Sequence, residues 1–213
     1  MIHLLNAILV IVLMLNLFAL GTSRIVSVIR TVAVQGALLG LLPLLMHHHL
    51  SVAAVLTAVI SIALKGVVIP RMMNRALRDV QIRREVEPRI GLHPSVLLGA
   101  LGTVVAILFA NRLPLAARHA DTLIVSAALA TILTGFMLLI TRIKALTQVL
   151  GYLVLENGIF IFGMLLVAAM PLAVEMGVLL DLFVGIFVIC IIVNRINQSF
   201  ASLDTRRLAA LKE

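Results

Sequence analysis

Residues 145–193 read ALTQVLGYLVLENGIFIFGMLLVAAMPLAVEMGVLLDLFVGIFVICIIV, two long apolar runs that meet at Pro171. Each run is long enough to cross the hydrocarbon core of a bilayer, which takes about 20 helical residues. Each also carries one carboxylate near its middle, Glu156 in the first and Asp181 in the second. Because a carboxylate in hydrocarbon costs roughly 2.5–3.5 kcal/mol on insertion scales, the two residues indicate function, and proton or ion movement in particular.

The rest of the chain has the same character. Of its 213 residues, 62% are hydrophobic and only 12% are charged, whereas about a quarter of the residues in soluble domains are charged. This composition predicts an all-α integral membrane protein that forms one transmembrane domain over residues 1–213, with about seven transmembrane helices. The predicted spans are 2–22, 25–46, 50–70, 94–111, 121–140, 145–169 and 172–194.

The distribution of positive charge predicts the orientation in the membrane. Lys and Arg residues concentrate in alternate links, at Arg24, at the arginines between 71 and 89, at Arg142 with Lys144, and after residue 194. The positive-inside rule then places the N-terminus outside and the C-terminus in the cytoplasm, and it explains the net charge of +8 without nucleic acid. The link 71–93 sets apolar residues at helical spacing among arginines, which predicts a cytoplasmic amphipathic segment on the membrane or against a partner.

Short matching motifs predict a weak internal repeat. Ser23-Arg24-Ile25 opens the second span as Thr141-Arg142-Ile143 opens the sixth, and Asn74-Arg75 follows the third as Asn194-Arg195 follows the seventh. The two three-helix units, 1–75 and 121–195, would have the same orientation, with the fourth span as connector. Transporter folds often contain such repeats.

The depth of the two carboxylates favours a proton relay. Glu156 is 12 residues after Lys144, and Asp181 is 10 residues after Pro171. At about 1.5 Å per residue both lie near the middle of a core about 30 Å thick, level with each other on antiparallel neighbours. The alternative is a structural hydrogen bond for each carboxylate. The supporting candidates are the polar residues nearby, Asn157, Gln148 and Thr147, and also Glu175, which either takes part or reaches the outer interface.

Lys65 and Arg30 form a second pair of candidates. Each is six residues from an arginine at the predicted cytoplasmic boundary, Arg71 and Arg24, and is therefore about 9 Å deep. Their long side chains either extend to the interface, or Lys65 relays protons next to a polar residue such as Gln35 on the second span.

The sequence contains no phosphate-binding glycine loop, haem-ligand pattern, nucleophile elbow or paired metal motif. The single cysteine, Cys190, excludes an intrachain disulfide. We therefore expect no catalytic residue, no cofactor and no metal in this chain.

The motif GYLVLEN at 151–157, followed on the next span by DLFVG at 181–185, resembles the K-type membrane subunit of complex I. Two helices of that family each carry a buried glutamate of a lateral proton path, which implies this role for Glu156 and Asp181. Alignment of the motif places the first family glutamate at Leu153, one turn from Glu156 on the same face. With its seven predicted helices, the whole chain resembles the hydrogenase-4 component E family.

The resemblance implies a non-catalytic subunit of a redox-driven, proton-translocating complex in a bacterial or archaeal cytoplasmic (inner) membrane. Its implied partners are antiporter-like and quinone-subunit-like membrane subunits and a peripheral NiFe hydrogenase or dehydrogenase arm. The proton path would contain Glu156, Asp181 and Lys65. Two alternatives stay open, an autonomous cation/proton antiporter or transporter and a structural membrane anchor.

Overall fold

The computed structural model describes residues 2–46, 52–79, 86, 89–113, 122–165 and 191. Within these ranges the chain is helical and contains no β-strand, so the prediction of an all-α fold is confirmed for them. The helices are α1 (Ile2–Gly21), α2 (Ile25–Met46), α3 (Val52–Ser61), a π-helix (Ile62–Val68), α4 (Ile69–Asp79), α5 (Leu92–Ala110), α6 (Ile124–Thr141) and α7 (Ala145–Gly163).

Five of these helices, α1, α2, α5, α6 and α7, are long and apolar enough to cross a membrane. They match the first, second, fourth, fifth and sixth predicted spans. The third predicted span, 50–70, is part of one uninterrupted helical rod made of α3, the π-helix and α4. The seventh, 172–194, lies outside the described residues. The total of seven spans and their orientation therefore stay predictions.

The interior contains two apolar clusters at different heights. The lower cluster lies next to the helix corners at 22–24 and 142–144 and combines the end of α1, the start of α2, α4, the end of α6 and the first half of α7. The upper cluster combines the first half of α1, the second half of α2, the start of α6 and the end of α7. Antiparallel helix pairs produce this arrangement, because the end of one helix lies beside the start of the next.

Helix α4 packs its apolar face against its own chain. Ile69, Met73 and Leu77 recur every four residues and therefore share one face, and all three are buried in the lower cluster with Val28 and Ile29 of α2. The sequence predicted an amphipathic segment on the membrane or against a partner. In its described part the apolar stripe is covered from within, and the arginines of α4 face outward.

Val86 and Arg89 each contact one of the helix corners. The backbone N–H of Val86 donates to Ser23 O at 2.7 Å, and that of Arg89 donates to Thr141 O at 2.7 Å. Ser23 and Thr141 are the matching positions of the proposed repeat. The two corners thus receive the same kind of contact, while the repeat itself stays a prediction.

Helices α6 and α7 approach each other closely at glycines. A Cβ added to Gly135 would overlap the backbone of Leu155, and one added to Gly158 would lie 2.6 Å from the backbone N of Ile132. Small residues let membrane helices pack backbone to backbone and gain van der Waals contact. This contact fixes the height of α7, and with it the height of Glu156.

Candidate functional site

A layer of polar side chains separates the two apolar clusters. In α1 it lies between Val12 of the upper cluster and Ala19 of the lower, and α2, α6 and α7 have the same order of apolar, polar and apolar residues. We call this set the polar layer; its members are Asn16, Gln35, Lys65, Thr131, Glu156 and Asn157. Because it lies between clusters stacked along the helices, it extends across the bundle rather than along it.

The charged part of the polar layer is an ion pair between the π-helix and α7. Lys65 Nζ is 3.4 Å from Glu156 Oε1, and the two side chains are 12% and 10% exposed. The same ammonium donates to Asn157 Oδ1 at 3.3 Å and lies 5.4 Å from the centre of the Phe160 ring. A carboxylate, an amide oxygen and an aromatic face therefore stabilise one cation in a region of low dielectric.

A row of hydrogen bonds continues from this pair across three further helices. Asn157 Nδ2 donates to Gln35 Oε1 at 3.4 Å, and Gln35 Nε2 donates to Asn16 Oδ1 at 2.9 Å. Asn16 Nδ2 donates to Thr131 Oγ1 at 2.8 Å, and the Thr131 hydroxyl donates to Ala127 O at 2.6 Å. Each group donates in the same direction, so the row joins α7, α2, α1 and α6 and ends on a backbone carbonyl of α6.

The glycines of α2 bring Lys65 into the layer. A Cβ at Gly36 would lie 2.7 Å from Lys65 Cβ, and one at Gly40 would lie 2.6 Å from Ile62 Cγ1. The Gly36-x-x-x-Gly40 face therefore admits the π-helix directly against α2. A π-helix is a wide turn that occurs often at functional sites, and here it spans Ile62–Val68, with Lys65 at its centre.

Arg142 is a second buried cation, at the corner between α6 and α7. It is 1% exposed, and its Nη2 donates to Leu20 O at 2.7 Å. The sequence predicted a loop charge that orients the chain, and the structure corrects this to a buried side chain. The reason is that the last carbonyls of α1 lack helical partners and attract a cation. Burial lowers the pKa of the Arg142 guanidinium, which nevertheless stays protonated because arginine does not lose its proton in proteins.

A mycobacterial protein is similar to nearly the whole chain. Uncharacterized protein Rv0085 of Mycobacterium tuberculosis (strain ATCC 25618 / H37Rv) is 32% identical over 191 residues, which cover 88% of this chain and 86% of that protein. The chain belongs to the same family as Rv0085. No protein-family model and no solved structure matches it.

This member of the Rv0085 family is also similar, more distantly, to a component of hydrogenase-4. Hydrogenase-4 component E of Escherichia coli (strain K12) is 27% identical over 150 residues, 70% of this chain and 68% of that protein. The component of the same name in Shigella flexneri gives the same values. Together with the apolar helices, this similarity indicates a multi-pass membrane protein.

The structure brings together four of the predicted site residues, Glu156, Lys65, Asn157 and Gln35. It separates the others from them. Thr147 and Gln148 donate to the corner carbonyls of Lys144 and Arg142, two turns or more from Glu156, so they do not line a path to it. Arg30 is exposed on the outer face of α2. Asp181 and Glu175 lie outside the described residues.

Sequence reasoning missed two members of the layer, Asn16 and Thr131. Asn16 is the one polar residue of the apolar run 7–21, and Thr131 is one of three buried hydroxyl residues of α6. Each is at most 1% exposed. Asn16 could have been recognised from the sequence as a candidate, because an amide in hydrocarbon is costly unless it has a hydrogen-bond partner. Thr131 carried no such signal, since a hydroxyl in a helix is satisfied by the carbonyl four residues earlier.

Asn16→Leu should destabilise the protein by about 1–3 kcal/mol. The substitution removes the acceptor of Gln35 Nε2 and the donor to Thr131, and both groups are buried. Thermal unfolding of the detergent-solubilised chain, followed by size-exclusion chromatography, measures the effect. Thr103→Val is the matched control, because the Thr103 hydroxyl bonds only to Gly99 O of its own helix among the contacts observed; we expect it to change stability by less than about 0.5 kcal/mol. Equal effects would show that Asn16 does not hold the layer together.

Proposed function

We propose that this chain is a membrane subunit of a hydrogenase-4-like or complex I-like proton-translocating complex, and that the Lys65–Glu156 pair carries its proton step. One observation carries the proposal: two titratable groups of opposite charge meet 3.4 Å apart inside an apolar bundle. Intramembrane ionisable residues are costly and mark ion or proton pathways. The similarity to hydrogenase-4 component E supplies the kind of assembly.

Within the polar layer, Lys65 and Glu156 are the groups that exchange protons. The remaining members are amides and a hydroxyl, which donate and accept hydrogen bonds without changing charge. The row from Asn157 to Thr131 therefore has a positioning role: it holds Asn157 Oδ1 at 3.3 Å from the Lys65 ammonium. Transfer of the Lys65 proton to Glu156 would neutralise both groups without changing the net charge of the layer, whereas its departure to a group outside the layer would leave one negative charge behind.

The geometry of the layer favours lateral transfer. The layer crosses the bundle between two apolar clusters, one on each side of it along the helices. A proton that enters at Lys65 would therefore leave toward a neighbouring helix or subunit. We propose Asp181, on the next predicted span, as the next carboxylate of this path, and we propose antiporter-like membrane subunits as its neighbours.

The test begins with purification of the chain in mild detergent, which identifies the complex that contains it. In inverted membrane vesicles that receive the electron donor of that complex, Glu156→Gln should abolish proton uptake, followed by a pH-sensitive dye, while electron transfer by the peripheral arm continues. Lys65→Arg is a second variant: it keeps the ion pair but cannot release its proton, so it should stop proton uptake with assembly intact. Thr103→Val, outside the layer, is the control and should pump normally.

Two other outcomes would overturn the proposal. If Glu156→Gln and Lys65→Arg both pump at the normal rate, the layer is a hydrogen-bonded scaffold and the chain is a structural anchor. If the purified chain alone moves protons or cations across vesicles, and nothing co-purifies with it, the chain is an autonomous antiporter.

A further inference from the structure

The outer faces of α2 and α4 carry a group of arginines that the proposed proton step does not use. Two adjoining grooves run along them: one is lined by Arg71, Asn74, Arg75 and Arg78, and the other by Val26, Arg30, Asn74, Leu77 and Arg78. They share Asn74 and Arg78, so they form one continuous surface, which we call the arginine groove. The residues that line it include four arginines.

The height of the groove matches the headgroup side of one leaflet. Gln35 and Lys65 both belong to the polar layer, and Arg30 is five residues below Gln35 while Arg71 is six residues below Lys65. At about 1.5 Å per residue, the Cα atoms of these two arginines lie about 8–9 Å below the layer, and the Cα atom of Arg75 lies about 15 Å below it. Half of a hydrocarbon core is also about 15 Å thick. With the polar layer at the middle of the bilayer, as the sequence predicts for Glu156, their long side chains would reach the headgroup level from just inside it.

Exposed apolar residues lie one turn nearer the layer than these arginines. Val34 follows Arg30 by four residues and is 49% exposed, and Val67 precedes Arg71 by four residues and is 37% exposed. Residues four apart share a helix face. Helices α2 and α3–α4 run in opposite directions, so both pairs place the apolar side chain toward the membrane centre and the guanidinium toward its surface.

We propose that the arginine groove binds the phosphate of an anionic phospholipid, with its acyl chain against Val34 and Val67. Guanidinium groups bind phosphate oxygens through paired, charge-assisted hydrogen bonds, and basic pockets between membrane helices recognise anionic headgroups. The exposed valines decide between a lipid and an acidic protein surface. An acyl chain covers apolar side chains that stand directly above the charges, whereas a water-soluble acidic surface would leave them in contact with bulk lipid.

The experiment measures which phospholipids the full-length chain retains. The chain is equilibrated in mixed micelles of equal amounts of phosphatidylglycerol and phosphatidylcholine, repurified in detergent, and its bound lipid quantified by mass spectrometry. We expect the wild type to retain phosphatidylglycerol preferentially. Arg30→Gln and Arg71→Gln should each reduce this preference about fivefold, the effect of losing about one surface arginine contact, without a change in thermal stability.

Arg112→Gln is the matched control, because Arg112 is an exposed arginine just beyond α5, at the opposite end of that helix from residues 89–91; it should leave the preference unchanged. Equal retention of the two lipids by the wild type would overturn the proposal, as would an unchanged preference in the Arg30→Gln/Arg71→Gln double variant. If that double variant instead releases a co-purifying subunit while the wild type shows no lipid preference, the groove binds an acidic protein surface.

Discussion

Lys65→Met should lower the free energy of unfolding by about 3–5 kcal/mol, the usual cost of removing one partner of a buried ion pair. Methionine keeps the length of the lysine stem but removes the charge that lies 3.4 Å from Glu156 Oε1. It also removes the donor to Asn157 Oδ1, the link between the ion pair and the amide row. The free energy can be measured by denaturant or thermal unfolding of the detergent-solubilised chain.

A double-mutant cycle separates the ion pair from other effects of the substitution. In Lys65→Met/Glu156→Gln both charges are gone, so the double variant should cost clearly less than the sum of the two single variants. Lys144→Met is the matched control, because Lys144 is a half-exposed cation at the corner before α7, and we expect a change of about 0.5 kcal/mol or less. If Lys65→Met is as mild as Lys144→Met, the ammonium extends to the membrane surface and the ion pair does not form.

The helices could be predicted from the sequence because a membrane imposes a simple rule. Every backbone polar group must be satisfied within the segment, so an apolar run of sufficient length forms a helix. The predicted spans 2–22 and 25–46 agree with Ile2–Gly21 and Ile25–Met46 to within one residue. This rule needs only the hydropathy of each run and no knowledge of its neighbours.

The position of Lys65 within the bundle could not be predicted in the same way. The sequence estimate took Arg71 as the membrane boundary and placed Lys65 about 9 Å inside it. In the structure the helix continues past Arg71 to Asp79, with Met73 and Leu77 buried in the lower cluster. The arginines of α4 lie on one face of that helix, because an amphipathic helix can be charged on one side while the other packs on the protein.

The contacts of the polar layer depend on which helices are neighbours, and hydropathy does not contain that information. The pairs Lys65–Asn157 and Asn16–Thr131 join residues 92 and 115 positions apart. The first pair requires the π-helix and α7 to pack side by side on α2, and the second requires α1 to pack on α6. Both arrangements depend on tertiary packing. Two glycines four residues apart, as at 36 and 40, favour a close helix contact, but their spacing does not identify the turn with Lys65 as the partner.

Gly135→Ala should destabilise the protein by about 1–3 kcal/mol or more, because it adds atoms where α6 and α7 already touch. The new methyl group would overlap the backbone N and Cα of Leu155, and backbone atoms cannot rotate away as a flexible side chain can. The two helices must therefore separate or slide. Thermal unfolding in detergent, together with the yield of monodisperse protein, measures the cost.

Gly102→Ala provides the control for this substitution within the same bundle. A Cβ at Gly102 of α5 would have Leu133 Cδ1 at 3.7 Å as its nearest contact, an ordinary van der Waals distance. We expect it to be neutral or to stabilise by about 0.5–1 kcal/mol, since alanine is the better helix former.

Because Leu155 directly precedes Glu156, a displaced α7 in Gly135→Ala should also weaken the coupling between Lys65 and Glu156 in a double-mutant cycle. If both alanine variants have the same stability and the coupling is unchanged, the contact between α6 and α7 does not set the position of Glu156 in the polar layer.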